Sequence, residues 1–242
     1  MSYEYLGKHI DIHTWWIEHI PVHHTNEIAQ AEHSFCESPW VNYWFHLQHL
    51  QIDGTKISKS LWNVVYISDI IERWYSPWDV RYFFLTAHYR SFQDFTWSSL
   101  DAASKTRSNL VKRIAKYDIQ LTELESHKPW NTYEAIAQAL ANDLDTIWAL
   151  REIHQANLDD RNVALDILLI DMHVLRLCLY DDVCVFKQEN SNIPDEIIQL
   201  AEERSIAKSN KDYQRADAIR DEIIQAGRDI RDNGDWYTIS RK

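Results

Sequence analysis

Apolar and polar positions divide the chain into two regions that meet near residue 76. In the first region, residues 9–14 (HIDIHT) and 47–54 (LQHLQIDG) alternate or bunch their apolar residues as short strands do. Residues 24–35 (HTNEIAQAEHSF), between them, have helical spacing. The pattern therefore predicts an α/β structure for the first region.

Helical periodicity dominates the second region. Apolar residues recur at intervals of three and four in four long segments, residues 98–125, 131–158, 162–186 and 194–227. Asn131, with Glu134 three residues later, is predicted to cap one helix, and Gly227 is predicted to end another. Asn233-Gly234 near the end favours a small hairpin. We expect a helical bundle with a short tail.

The net charge of −12 argues against a protein that coats nucleic acid by bulk electrostatics. A local basic patch remains possible in residues 105–116 (KTRSNLVKRIAK), although a solvated helix face is the simpler interpretation. No apolar run reaches the roughly 18 residues that span a bilayer, and the first residues have no export signal. Three cysteines without framework spacing suit reduced thiols. We expect a cytoplasmic protein without a membrane role.

Glycine and tryptophan are the compositional anomaly. The chain has 4 glycines and 11 tryptophans, whereas a chain of this length has about 17 glycines on average. Adjacent tryptophans, Trp15 and Trp16, precede the histidine-rich run of residues 19–24.

Two short stretches carry the candidate chemistry. His23 and Glu27 are four residues apart at the start of the predicted helix, so their side chains project from one face about 6 Å apart and could hold one zinc ion. In residues 53–63 (DGTKISKSLWN), Lys56 and Lys59 bracket Ser58 beside a turn, which favours a mobile loop that neutralises a polyphosphate. Each stretch alone is also explained by an ordinary surface pair or a solvated loop.

Together these stretches resemble the cysteinyl-tRNA synthetases, which are class I aminoacyl-tRNA synthetases. The resemblance runs from IDIHTWWIEHIPVHHTNEIAQAE through PWVNYWFH to IDGTKISKSLWN. There the family has a glycine-rich turn, a His-His motif that ends in Asn-Glu, and a Lys-Met-Ser-Lys-Ser loop. LTAHYRSFQDFTWSSLDAA and LAEERSIAKSNKDYQRADAIRDEIIQAG are similar to the family's His-Tyr-Arg segment and carboxyl-terminal helices. The resemblance thus covers nearly the entire chain.

The resemblance implies an α/β plus all-α fold. Residues 1–75 would be the carboxyl-terminal half of a Rossmann-type catalytic domain with the KISKS loop. Residues 76–100 would be a connecting segment that contacts the tRNA stem. Residues 101–242 would be a helical anticodon-binding domain with a short tail. The implied activity is ATP-dependent attachment of cysteine to its tRNA through cysteinyl-adenylate.

The resemblance also implies roles for individual residues. It assigns catalysis and ATP binding to Lys56 and Lys59, and ATP binding also to Ser58. It places a substrate-pocket turn at Thr14, Trp15 and Trp16. It makes His23 and Glu27 the metal ligands. Arg231 and Trp236 are candidates for phosphate and stacking contacts with tRNA. The implied partners are ATP with Mg²⁺, cysteine and tRNA(Cys), and we expect a monomer.

Two departures from the family pattern lead to an expectation of inactivity. The family holds its zinc with two cysteines, a histidine and a glutamate, and both cysteines and the His-Ile-Gly-His motif belong upstream of the matched part. We therefore expect the carboxyl-terminal half of a longer synthetase, inactive by itself and with an incomplete zinc site. The alternatives are a catalytically dead tRNA-binding paralogue and a histidine-rich helical metal-binding protein.

Tryptophan replaces glycine at several places in the family pattern. Trp15, Trp16 and Trp62 stand where the family has glycine, and Trp74 follows a predicted helix at a position that favours glycine. UGA encodes glycine in some bacterial genetic codes and tryptophan in others. Our hypothesis is that these codons are UGA and were decoded with the wrong table. As written, we expect the indoles to block the pocket.

Overall fold

The computed structural model describes residues 2–57, 64–191, 194–210, 212–233 and 236–241. Backbone contacts group the chain into two compact units. The first unit contains Met1–Leu110 and Ile119–Leu177, and the second contains Val111–Asp118 and Cys178–Lys242. The chain mixes helices and strands, and the predicted domain boundaries after residues 75 and 100 stay predictions.

The α/β part of the first unit is built on two parallel strands. A short helix α1 (Ser2–Leu6) precedes β1 (Ile10–Trp16), which pairs in parallel with β2 (Val41–Leu47) through α2 (Thr25–Phe35). A 3-10 turn, Ile17–His19, and a π turn, Ile20–His24, lead from β1 into α2. The predicted strand at 9–14 and the predicted helix at 24–35 are therefore confirmed, whereas β2 was not predicted.

An Asp-Gly turn fixes the base of the loop that carries the lysines. β3 (Leu50–Ile52) pairs antiparallel with β4 (Thr55–Lys56) and parallel with β5 (Gln93–Phe95). Asp53 and Gly54 between β3 and β4 both have positive φ, 50° and 71°, as a two-residue type I′ hairpin turn requires. The Gly54 N–H donates to Asp94 Oδ1 at 2.9 Å, which ties this turn to the middle residue of β5.

Trp74 occupies the left-handed position that ends helix α3 (Ile67–Glu72). The Trp74 N–H donates to the Ile71 carbonyl at 2.9 Å, and the Tyr75 N–H donates to the Ile70 carbonyl at 3.1 Å. These two bonds are the pair that defines a Schellman motif, with Trp74 at C′ and φ of 66°. The predicted positive φ at Trp74 is confirmed.

Helices form most of the remainder, and each long periodic segment contains two of them. They are α4 (Pro77–Leu85), α5 (Trp97–Ile114), α6 (Leu121–Ser126), α7 (Asn131–Ala141), α8 (Thr146–Gln155), α9 (Arg161–Ile170), α10 (Leu179–Ser191), α11 (Asp195–Ser209) and α12 (Tyr213–Gln225). Left-handed residues mark two of the breaks: Asp143 and Leu144 separate α7 from α8, and Arg176 and Cys178 precede α10.

The predicted cap at Asn131 is wrong by one residue. The N-cap of α7 is Trp130, and its own side chain caps nothing. The carboxylate of Asp166, fully buried in α9, instead accepts the N–H groups of Trp130 and Tyr133 at 3.0 and 3.1 Å. His127 Nε2 lies 2.8 Å from the same carboxylate. A buried side chain from another helix thus supplies the acceptor.

The predicted basic patch loses one of its members. Arg107 is only 4% exposed. Its Nη1 donates to Asp79 Oδ1 at 3.3 Å, and its Nε and Nη2 donate to the Leu177 carbonyl at 3.0 and 2.8 Å. Arg107 therefore holds the first unit together and is unavailable to an external anion.

The second unit closes with a helix pair and a hairpin. β6 (Arg228–Asn233) and β7 (Trp236–Arg241) pair antiparallel, so the hairpin predicted around Asn233-Gly234 is confirmed. Gly227 follows α12 with φ of 78°, which confirms the predicted glycine stop. The buried core consists of Ile197, Ala201, Ile219, Ile223, Ile230 and Ile239. Among the described residues of the whole chain, no helix combines the length and apolar character that crossing a membrane requires.

Candidate functional site

Three side chains converge where β1 meets α2. His13 Nε2, from β1, lies 3.2 Å from Glu27 Oε2, from the first turns of α2. The rings of His13 and His24 are 4.8 Å apart, and potential ligand atoms of His13, His24 and Glu27 all lie within 4.8 Å of one another. The parallel pairing of β1 with β2 and the crossover into α2 bring the three together. Imidazole and carboxylate groups are ligands that zinc accepts.

The predicted metal pair His23 and Glu27 is close in space, but His23 lies outside this cluster. His23 Nε2 is 3.4 Å from Glu27 Oε1, as expected for residues four apart at a helix start. The His23 side chain is exposed, whereas His24 is only 2% exposed. The π turn that leads into α2 thus brings the second histidine of the His-His pair, not the first, close to His13.

Aromatic and imidazole rings from β2 form the wall behind the cluster. The Trp44 ring stacks on His13 at 4.7 Å, and His24 Nδ1 lies 2.8 Å from His46 Nε2. Burial, followed by repulsion from His13 and His46, lowers the pKa of His24. Burial and repulsion from His13 likewise lower the pKa of His46. Both rings are thereby kept neutral near pH 7, the form in which imidazole binds metals.

The three residues predicted as a pocket turn continue strand β1. Thr14, Trp15 and Trp16 pair in register with Phe45, His46 and Leu47. Trp16 has an extended backbone with φ of −78° and ψ of 149°. The prediction of a turn at these positions is therefore wrong, because all three residues pair with β2 and belong to strand β1. Whether they contact a substrate stays a prediction.

The two unusual stretches of the sequence meet at the end of β1. The Trp16 ring stacks on His49 at 5.1 Å, and His49 Nε2 lies 2.8 Å from Glu18 Oε2. The hydrogen bond with His49 lowers the pKa of Glu18, and the positive charge of Lys56 contributes to the same shift. The base of the lysine loop therefore approaches the carboxyl end of β1, where loops of parallel α/β sheets carry their sites.

A mostly apolar cavity of about 490 Å³ opens beside this junction. Its lining includes Trp16, Phe45, Leu47, His49, Phe84 and Tyr89. Two of the lining residues, Phe45 and Tyr89, stack on one another with their ring centroids 4.2 Å apart. Because the Trp16 indole occupies part of the lining, a smaller residue there would enlarge the cavity.

Several predicted site residues lie outside the described part of the chain. These are Ser58 and Lys59, together with Trp62 and Asn63. For Arg231 and Trp236, only the strand positions in β6 and β7 are described, opposite Thr238 and Asn233 respectively. Their functional assignments stay predictions.

Sequence reasoning missed His13, His24 and His46. Each comes from a different element, and periodicity gives no signal that β1, the π turn before α2 and β2 will bring them together. The residues around His13 contain one available signal, because a histidine in a strand that precedes a His-His pair offers a further possible metal ligand. That signal is weak without knowledge of the β1–β2 pairing.

Comparison with known proteins identifies one family model and several proteins to which the chain is similar. The family model described as tRNA synthetases class I (C) catalytic domain matches residues 1–105. A cysteine--tRNA ligase of Treponema denticola is 33% identical to the chain, with 94% of the chain and 51% of that protein covered. Those of Brachyspira hyodysenteriae and Opitutus terrae are 33% and 34% identical, with 100% and 99% of the chain and 54% and 50% of each relative covered.

The chain therefore belongs to the class I aminoacyl-tRNA synthetases. Within that class its relatives place it in the cysteine--tRNA ligase family. The chain spans about half the length of the curated relatives it matches.

Proposed function

We propose that this chain carries one half of an ATP-dependent cysteine--tRNA ligase. The observation that supports the proposal most directly is the junction of Trp16, His49, Glu18 and Lys56, which brings a KISKS-type loop base to the end of β1. In this proposal the first unit supplies part of the nucleotide and amino-acid site. Cysteine and ATP with Mg²⁺ are the substrates, and tRNA(Cys) accepts the cysteinyl group.

The chemistry assigns charge neutralisation to the lysines. The cysteine carboxylate attacks the ATP α-phosphate, which forms cysteinyl-adenylate and releases pyrophosphate. Lys56 and Lys59 stabilise the negative charge on the departing pyrophosphate, while Ser58 and Asn63 shape the loop. Positioning and electrostatics supply the rate, because no protein group forms a covalent intermediate. The cysteinyl group then passes to the tRNA 3′-terminal ribose.

The tRNA contacts belong to the helical part in this proposal. The net charge of −12 rules out attraction by the whole surface, so binding depends on local groups. Arg231 and Trp236 are the proposed phosphate and stacking contacts, on the two strands of the terminal hairpin.

The zinc site implied by the family does not fit the described residues of this chain. The one group of three or more possible ligands in the described part consists of His13, His24 and Glu27 and contains no cysteine. Cys36 follows the last residue of α2, about 13 Å along the helix axis from Glu27. Its thiol lies 3.7 Å from the His33 carbonyl, as a donor to it. We therefore derive no step of the reaction through a cysteine-ligated zinc.

Pyrophosphate exchange tests the proposal. The 242-residue chain by itself should not exchange pyrophosphate into ATP with cysteine. A fusion of this chain to the amino-terminal half of the Treponema denticola relative, with glycine at positions 15, 16, 62 and 74, should do so. Lys59→Ala in that fusion should lower the exchange rate about 10²-fold or more, as expected for loss of a transition-state contact.

Lys8→Ala is the matched control, because Lys8 is an exposed lysine that lies 3.5 Å from Glu37. The control should leave the exchange rate unchanged. Cysteine-dependent exchange by the unmodified chain, or exchange by the fusion that Lys59→Ala does not affect, would contradict the proposal.

A further inference from the structure

We propose that a cavity between helices α4, α5 and α8 binds a small aromatic carboxylate, a ligand with an apolar body of one or two rings and one negative charge. The cavity belongs to the first unit and has a volume of about 420 Å³, within the range of about 300–1,000 Å³ that is usual for small-molecule sites. Its described lining shares no residue with the junction of Trp16, His49, Glu18 and Lys56. The proposal therefore does not depend on the ligase proposal.

The spacing of short side chains on α5 creates the cavity. These side chains recur at intervals of three and four residues and therefore lie on one face of the helix: Ser99, Ala102, Ala103 and Thr106. Phe83 of α4, with Ile147 and Leu150 of α8, contributes apolar surface to the same lining. Because the side chains on α5 are short, they leave room for a flat ring to lie against these apolar atoms.

Tyr82 and His154 form a polar pair in the lining whose atoms satisfy one another. Tyr82 is only 3% exposed, and its hydroxyl lies 2.5 Å from His154 Nε2. Covering a polar atom costs free energy when the atom loses its hydrogen-bond partner. Because these two atoms keep each other as partners, an apolar ring placed over them leaves neither unpaired. The lining therefore accepts an apolar ligand body.

Arg151 determines the sign of the charge that the ligand should carry. It is exposed, and it lies on the face of α8 that contributes Ile147, Leu150 and His154 to the cavity. Among the described lining residues, Arg151 carries the one permanent charge and none is acidic, although the net charge of the chain is −12. A guanidinium binds a carboxylate through two parallel N–H donors. Charge complementarity therefore favours an anion at this cavity.

Titration of the unmodified 242-residue chain with 2-naphthoate, followed by NMR of its alanine methyl groups, tests the site. The methyl signals of Ala102 and Ala103 should shift and saturate with a dissociation constant of about 1 mM or lower. 2-Naphthamide has the same shape without the charge, so it should bind about tenfold more weakly, as expected for loss of a charge-assisted hydrogen bond. This comparison needs no variant, so misfolding cannot confuse it. No saturable shift, or equal affinity for the acid and the amide, would overturn the proposal.

Two variants with matched controls assign the charge and the cavity separately. Arg151→Gln should weaken 2-naphthoate binding about tenfold and leave 2-naphthamide binding unchanged. Its control is Arg73→Gln, at another exposed arginine that stacks on a tryptophan: Arg73 Cζ lies 3.9 Å from the Trp97 ring centroid, and Arg151 Cζ lies 4.7 Å from that of Trp148.

Ala102→Leu should fill the cavity and weaken binding of both compounds about tenfold or more. Its control is Ser108→Leu, at an exposed position of α5 outside the lining. Both controls should leave affinity within about twofold. Equal effects of Arg151→Gln and Arg73→Gln, or of Ala102→Leu and Ser108→Leu, would contradict binding at this cavity.

Discussion

Trp74 adopts a backbone conformation that its own side chain opposes. A left-handed conformation brings the Cβ of an L-residue close to the following carbonyl and costs roughly 1–2 kcal/mol. The indole recovers none of this by packing, because Trp74 is 95% exposed. The two hydrogen bonds of the Schellman motif fix the conformation regardless of the residue. Of the four tryptophans at expected glycine positions, Trp74 is the one whose described backbone requires a positive φ.

Replacing Trp74 by glycine should therefore stabilise the protein. We expect Trp74→Gly to raise the free energy of unfolding by about 1 kcal/mol, since it removes the left-handed penalty but adds flexibility to the unfolded chain. Thermal or urea unfolding measures the change. Trp74→Ala is the control: it keeps a Cβ and should gain little. An equal gain in both variants would point to the exposed indole instead of the backbone.

The sequence predicts some of the turns and positive-φ positions of the chain and not others. Local rules recognise the dipeptides Asp53-Gly54 and Asn233-Gly234 as turns. They also recognise Gly227 as the glycine that ends an Ala-Asp-rich helix. Cys36, Leu144, Arg176 and Cys178 also have positive φ, and nothing in their residue types predicts it. These conformations were therefore not predictable from the sequence.

At the scale of elements, local patterns predicted β1, α2 and the helical character of the second region. They missed β2, because residues 41–47 (VNYWFHL) mix aromatic, apolar and polar side chains without clear alternation. They also merged neighbouring helices, since periodicity continues across the breaks at 142–145 and 176–178. Of the cluster of His13, His24 and Glu27, only Glu27 was predicted as a site residue. Its other members depend on strand pairing.

The contact between α4 and α8 gives a pH-dependent prediction. Tyr82 is buried, its hydroxyl lies 2.5 Å from His154 Nε2, and burial raises its pKa to about 12 from 10.0. A raised pKa means that the unfolded state loses the proton first, so this stabilisation is complete below pH 10 and is lost as pH rises from 10 to 12. Tyr82→Phe should cost about 1 kcal/mol at pH 8.

Unfolding measured from pH 8 to 11.5 should show the stability difference between wild type and Tyr82→Phe shrinking as pH rises. Tyr5→Phe, at an exposed tyrosine, is the control and should not change the pH dependence. A difference that stays constant across this range would contradict the assignment to Tyr82.

At the scale of the whole molecule, the first unit draws on three distant parts of the chain. Arg107 joins Asp79 in α4 to the Leu177 carbonyl at the end of that unit. Ser104 Oγ and the Ser76 N–H also donate to Asp79, at 3.0 Å each. The buried charges thus depend on one another, and removal of one leaves the other without its main partner.

Arg107→Ala should destabilise the protein by about 3–5 kcal/mol, the usual cost of leaving a buried charge unpaired. Lys105→Ala is the matched control two residues away: its exposed side chain pairs with Asp101 at 2.6 Å, and its loss should change stability little. Urea unfolding compares the two variants. Similar small effects of both would show that Arg107 is not essential to the first unit.

The first unit combines early and late parts of the chain, so it is completed late during synthesis on the ribosome. The strand pair of β1 and β2 is available once residue 47 has emerged, but the unit is not complete until Leu177 has followed. At about 5–20 residues per second, the intervening 130 residues take roughly 6–26 s to translate. For that time the nascent strand pair lacks the later part of the unit, so binding of a chaperone to residues 10–47 would be most valuable in this interval.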